Sequence, residues 1–255
     1  MSSGPLGIED QGGIRVLTLS RGRVNALESD LVSRLLLAAR DAEEDPAVRA
    51  VVLTSASRSV FCGGFDLGLL GSSPRDAFER FFLAFESLFY ELFLLRKPLV
   101  AALPGHAVAG GALLAGTADF RWAAEGPGTI GLPEATLGVH VPRHFLEALR
   151  ATVGDHALTR WTLSGTVPFA EAVALGAIDR VLPAEELLPR AVAYAEQLGA
   201  SPSEVYAGVK RDLRQDAYER AQAVLVESRR TFVDSWFSER GQRGIAATLE
   251  KLRSR

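Results

Sequence analysis

Lys97-Pro98-Leu99-Val100-Ala101-Ala102-Leu103-Pro104-Gly105-His106-Ala107-Val108-Ala109-Gly110-Gly111-Ala112 is the stretch that decides how this chain folds. The unbroken apolar run Leu99–Leu103 predicts a strand buried on both faces, as in a parallel sheet covered by helices. Pro104-Gly105 turns that strand, and the small residues from Ala109 onward open a helix. Glycine allows dihedrals and close approaches that other residues resist. The first turn of a helix presents unpaired N–H groups at the positive end of its dipole, so this turn suits a developing negative charge.

A second unit of the same kind lies upstream. Ala50-Val51-Val52-Leu53-Thr54 reads as another buried strand, followed by the glycine turn Phe61-Cys62-Gly63-Gly64-Phe65-Asp66-Leu67. Two such turns facing each other would make an oxyanion hole. Between the two units, Phe78, Phe81, Phe82, Phe85, Phe89 and Phe93 recur at spacings of three and four, predicting a helix from Arg75 to Leu95 whose aromatic stripe is core or the wall of an apolar pocket. At the N-terminus, Gly7–Asp10 and Ile14–Leu19 predict a hairpin, and Ser29 is placed as the N-cap of a helix carrying Leu31, Leu35, Ala38 and Ala42. After Thr129-Ile130-Gly131 the pattern is mostly helical, with a short β segment near Ile178–Val181. Alternating strands and helices give α/β, divided as a core over residues 1–199 and a helical C-terminal region over 200–255.

At 255 residues and 47% hydrophobic composition, the chain can bury a sizeable core. Its 28 basic and 31 acidic residues are interspersed, so nucleic-acid binding is not expected. Basic residues thicken at Lys210–Arg214 and at Lys251–Arg255, both read as solvated. No apolar run reaches membrane-spanning length, the opening Met1–Gly13 has no targeting character, and the single Cys62 excludes an internal disulfide framework. A cytoplasmic protein is expected.

The order of these segments, ending in Ile130-Gly131-Leu132-Pro133-Glu134-Ala135-Thr136-Leu137-Gly138, resembles the crotonase superfamily, also called the enoyl-CoA hydratase/isomerase family. The likeness starts at Val24-Asn25-Ala26-Leu27 and runs to Gly244–Lys251. It implies a ββα spiral with two roughly perpendicular sheets, a helical trimerisation region, and assembly as a homotrimer or dimer of trimers. Ala221, Val224, Leu225, Phe232, Trp236 and Phe237 are expected to need cover from a neighbouring subunit. The resemblance further implies an acyl-CoA thioester substrate, with coenzyme A as part of it and no separate cofactor. Phe65 and Gly110 would supply the oxyanion N–H groups. Val24, Ala26, Gly63, Gly64, Asp66, Leu67, Gly111 and Leu113 would contact the ligand, with Asp66 capping the next helix or tying the loop rather than reacting.

Hydratases of that family use two glutamates; this sequence keeps Glu134 and has Leu113 at the other position. Hydration needs one group for water and one for the proton, whereas a shift of a double bond from Δ3 to Δ2 needs one base. The reading is therefore an enoyl-CoA isomerase with Glu134 as the single acid/base. A hydratase or thioester hydrolase on the same fold, and a non-catalytic CoA-binding scaffold, are the alternatives. No metal site is expected: His140 and His144 stand at i, i+4, but Pro142 starts the helix between them.

Overall fold

The computed structural model describes residues 4–253; Met1–Ser3 and the Ser254-Arg255 end of the basic tail lie outside it. β1 (Leu6–Gln11) and β2 (Ile14–Leu19) form the expected hairpin around Gly12 and Gly13. Both glycines have positive φ, which the tight two-residue turn requires. α1 (Ser29–Glu44) is capped one residue earlier than expected. Glu28, not Ser29, accepts the Asp30 and Leu31 N–H groups, because the longer carboxylate reaches back over the first turn.

The spiral continues through β3 (Ala50–Ser55), β4 (Val60–Cys62), α2 (Leu67–Leu70), α3 (Arg75–Leu94), β5 (Leu99–Leu103), β6 (His106–Val108), α4 (Gly110–Gly116), β7 (Phe120–Ala124) and β8 (Thr129–Gly131). Then come α5 (Glu134–Leu137), α6 (Arg143–Leu149), α7 (Asp155–Leu163), β9 (Thr166–Pro168), α8 (Phe169–Ala174), β10 (Arg180–Leu182), α9 (Ala184–Gly199), α10 (Ser203–Trp236) and α11 (Glu239–Arg253). A proline stands at the N-cap of α3, α5, α6, α8, α9 and α10. Its fixed φ sets the chain for a first turn and helps to explain why these helices begin where they do.

The larger sheet has the order β1-β2-β3-β5-β7-β10 and is parallel apart from the β1–β2 hairpin. The smaller has the order β4-β6-β8-β9, with β9 antiparallel. β5, apolar throughout, and the apolar run Ala50–Leu53 of β3 are covered on both faces, as their sequences predict. One face packs on α1, α3 and α4; the other packs on Leu187, Ala191 and Ala195 of α9. No helix among the described residues is long and apolar enough to cross a membrane.

α10 departs from the sequence reading in two ways. Lys210 and Arg214 are buried, not solvated. They converge on Asp119, with Lys210 Nζ 2.9 Å from Oδ2 and Arg214 Nη2 2.6 Å from Oδ1, while Arg211 remains on the surface. Asp119 also accepts from the Leu99 N–H, so it ties β5 to α10. Ala221, Phe232 and Trp236 are likewise buried within the chain, against the α3 aromatic stripe. Trp236 stacks on Phe78 at 4.5 Å and Phe232 lies 4.6 Å from Phe82, so for these residues the chain itself supplies the cover expected from a neighbour, while Val224, Leu225 and Phe237 stay half-buried.

Candidate active site

The two glycine turns meet. The bonds Leu27 N–H to Gly64 O and Asp66 N–H to Leu27 O straddle Phe65, and among the described residues nothing accepts the Phe65 N–H. Gly64 has φ +90°, and a Cβ placed on it would lie 3.1 Å from Val108 O and 3.2 Å from Gly110 N. Only glycine lets the first turn back so closely onto the second. Gly110 opens α4, and its N–H also lacks an acceptor among the described residues.

Ala109, just before it, has φ 52° and ψ −124°, a conformation that costs a non-glycine residue about 1–3 kcal/mol. Its N–H donates to Gly131 O at 2.9 Å and its carbonyl accepts from Leu113 N, and these two bonds hold the strained peptide that aims Gly110. Gly111 packs directly on the Cys62 carbonyl, where a Cβ would collide. The loop ahead of α1 is braced similarly. Buried Asn25, at φ 48°, donates to Phe61 O and Ser55 Oγ and accepts from the Arg21 N–H. Arg21 in turn reaches Ala26 O and, at 2.9 Å, Asp66 Oδ2. Asp66 caps α2 by accepting the Leu69 N–H, as its position predicts.

Glu134 begins α5 and is only 8% exposed. Its Oε2 is buried without a hydrogen-bond partner. Burial disfavours the carboxylate, with the Glu134 N–H opposing this in part, and the pKa rises from 4.5 to about 7. Such a group holds and releases a proton near neutral pH.

A cavity of about 560 Å³ joins these parts. Phe65, Gly110 and Glu134 line it together with Val24, Gly63, Leu67 and Leu113. Ala26, Gly64, Asp66 and Gly111 are not in its lining; they shape the turns from behind. Among the described lining residues Glu134 is the one carboxyl, and His106 is the other ionisable side chain. His106 Nδ1 is held 2.9 Å from Thr129 Oγ1. Leu113, one turn along α4 from Gly110, presents an apolar side chain to the cavity.

The model of the family described as enoyl-CoA hydratase/isomerase matches residues 9–255. This chain belongs to the enoyl-CoA hydratase/isomerase family. It is 30% identical to human mitochondrial enoyl-CoA delta isomerase 1 over 244 residues, covering 94% of this chain and 80% of that protein. It is also 30% identical to a probable enoyl-CoA hydratase of Mycobacterium leprae over 241 residues, covering 93% and 92%. The crystal structure of human mitochondrial Δ3-Δ2-enoyl-CoA isomerase superposes with a TM-score of 0.93 at 28% identity, covering 98% of this chain and 99% of that one. The fold is the crotonase fold of this family.

Within this family member, sequence reasoning missed the helical wall of the cavity. Phe145 of α6, Phe232 and Trp236 of α10, and Thr248 and Leu252 of α11 all line it. Their helical periodicity shows an apolar face but not which cavity that face meets. His144 was also unreadable. As Pro142 predicts, it lies inside α6 while His140 lies outside, but its ring is fully buried. Its Nδ1 is 2.9 Å from Ser228 Oγ, and its Nε2 is 3.3 Å from Glu86 Oε2 without hydrogen-bond geometry. This is not a nucleophilic triad. Ser228 Oγ accepts the His144 N–H, and Glu86 already takes two hydrogen bonds from Arg229. Burial and Arg229 push the His144 pKa down to about 3, leaving a neutral ring that ties α6 to α10.

Proposed function

We propose that this chain is an enoyl-CoA isomerase that converts a 3-enoyl-CoA into a 2-enoyl-CoA, with Glu134 as its single acid/base. The observation that carries this reading is that, among the described residues, the cavity offers one buried carboxyl, with apolar Leu113 where a second acid would be needed for hydration. The thioester oxygen accepts from the Phe65 and Gly110 N–H groups. Glu134 as carboxylate takes a proton from C2, and the electron pair left behind delocalises through the C3–C4 double bond and onto that oxygen. The carboxylic acid then returns the proton to C4, leaving the double bond between C2 and C3. The same group serves both steps, and a pKa near 7 suits a proton that must move both ways.

The reading takes coenzyme A as part of the substrate and includes a homotrimer or dimer of trimers. Val205, Val209 and Leu213 support assembly: they form one exposed strip along α10, at 61%, 56% and 73% exposure. A reducing compartment such as the cytoplasm agrees with the lone thiol, Cys62, buried and pushed up to about 12. Purified protein supplied separately with 3-enoyl-CoA and 2-enoyl-CoA decides the reaction. Migration of the double bond without 3-hydroxyacyl-CoA is the expected result; efficient hydration would defeat it.

A further inference from the structure

Phe65 has two parts with different surroundings. Its N–H has no acceptor among the described residues, while its ring stands edge-on to Phe81 and Phe85 with centroids 4.9 Å away from each. Ring atoms Cε1 and Cδ1 lie 3.1 and 3.2 Å from where a Cβ on Gly110 would be, so the ring fills the space immediately beside the second oxyanion donor. Behind it are buried side chains of α3 and Leu27.

We propose that the Phe65 ring sets the length of acyl chain the cavity accepts, by closing it on the α3 side next to the oxyanion donors. Phe65 itself lines the cavity, so the space its ring vacates would be continuous with the acyl chamber. Phe145, which also lines the cavity, is wedged against Phe85 at 5.7 Å and Phe89 at 4.4 Å, so its removal would open toward the core. Replacing Phe65 by alanine keeps the main-chain N–H and exchanges a packed ring for an apolar slot bounded by Phe81 and Phe85. Close-packed interiors collapse only in part around such a loss. A longer acyl tail would fill the slot, and each added methylene buried there strengthens binding about fourfold.

This inference rests on the cavity being the acyl-CoA site, and its test needs no turnover. Hexanoyl-CoA and dodecanoyl-CoA are titrated calorimetrically into the wild type, Phe65→Ala and Phe65→Leu, each checked for native circular dichroism. The affinity ratio of dodecanoyl-CoA to hexanoyl-CoA should rise about fifteenfold in Phe65→Ala, as two methylenes entering the slot would give, and by less in Phe65→Leu. Should the alanine variant not fold, the leucine variant decides by the same ratio. Variants that bind both ligands with the wild-type ratio would overturn this inference alone. A wild type that binds neither ligand would overturn the functional reading and this inference with it.

Discussion

Gly64 and Gly110 touch back to back: a Cβ on Gly64 would sit 3.2 Å from Gly110 N and 2.8 Å from Ala109 Cβ. This contact places Phe65 and Gly110 in the lining of one cavity, although 45 positions separate them in sequence. Gly64→Ala should therefore push the turns apart, and at φ +90° it is strained as well. Displacing one donor typically costs about 10²–10³ in kcat. Steady-state kinetics with 3-enoyl-CoA should show that loss, and an alanine variant with wild-type kcat would remove Gly64 from the account.

Glu134 costs the folded protein stability at neutral pH. Its folded pKa, about 7, lies above the ordinary 4.5, so between those values the folded state binds more protons than the unfolded state. Stability contributed by this group is thus full below about pH 4.5 and falls as pH rises through 7. The shift corresponds to roughly 3 kcal/mol at alkaline pH. Glu134→Gln should unfold at higher urea than the wild type at pH 8, with the gap closing toward pH 5. Equal midpoints at pH 8 would show that the carboxyl is not desolvated.

Asp119 holds two buried cations, Lys210 and Arg214, and accepts from Tyr206 Oη at 3.2 Å. Burial pushes the Lys210 pKa down to about 8 even with this partner present. Removing the carboxylate in Asp119→Ala leaves both charges uncompensated, which costs about 3–5 kcal/mol. At about 2–4 °C per kcal/mol for a chain of this size, the melting temperature should fall by roughly 10 °C. Lys210→Met leaves the Asp119–Arg214 pair intact and should cost less. Scanning calorimetry that ranks the two variants the other way would contradict the assignment of Asp119 as the hub.

Much of the fold was legible because its signals are local. Leu99–Leu103 is apolar throughout because both faces of β5 are covered, and the α3 phenylalanines repeat because one face of that helix is buried. Glu134, Phe65 and Gly110 could be placed from motif order, and the structure brings all three to one cavity. What sequence could not show depends on where α10 lies. Lys210 and Arg214 look solvated until Asp119, some 90 residues earlier in the chain, is seen beneath them. Phe232 and Trp236 look like association residues until the helix is laid across α3. An apolar position records that something covers it, and the identity of the cover is a tertiary fact.

The choice between isomerase and hydratase turns on Leu113. It lines the cavity one turn beyond Gly110, on the helix that Gly110 opens. Adding water at C3 requires a group there that can hold the water and accept its proton, and a leucine can do neither. In the proposed reaction it would also keep the neighbourhood of C3 dry and so favour return of the proton to C4 over capture by solvent. Leu113→Glu should therefore raise formation of 3-hydroxyacyl-CoA from 2-enoyl-CoA above the wild type while lowering isomerisation of 3-enoyl-CoA. Glu134→Gln should abolish both reactions yet still bind acyl-CoA, because the oxyanion donors belong to the main chain. General acid–base assistance contributes typically about 10²–10⁴ in rate, so the glutamine variant should lose at least that much. Isomerisation persisting undiminished in Glu134→Gln would mean that another group moves the proton, and His106, the other ionisable side chain among the described lining residues, would be the first to test.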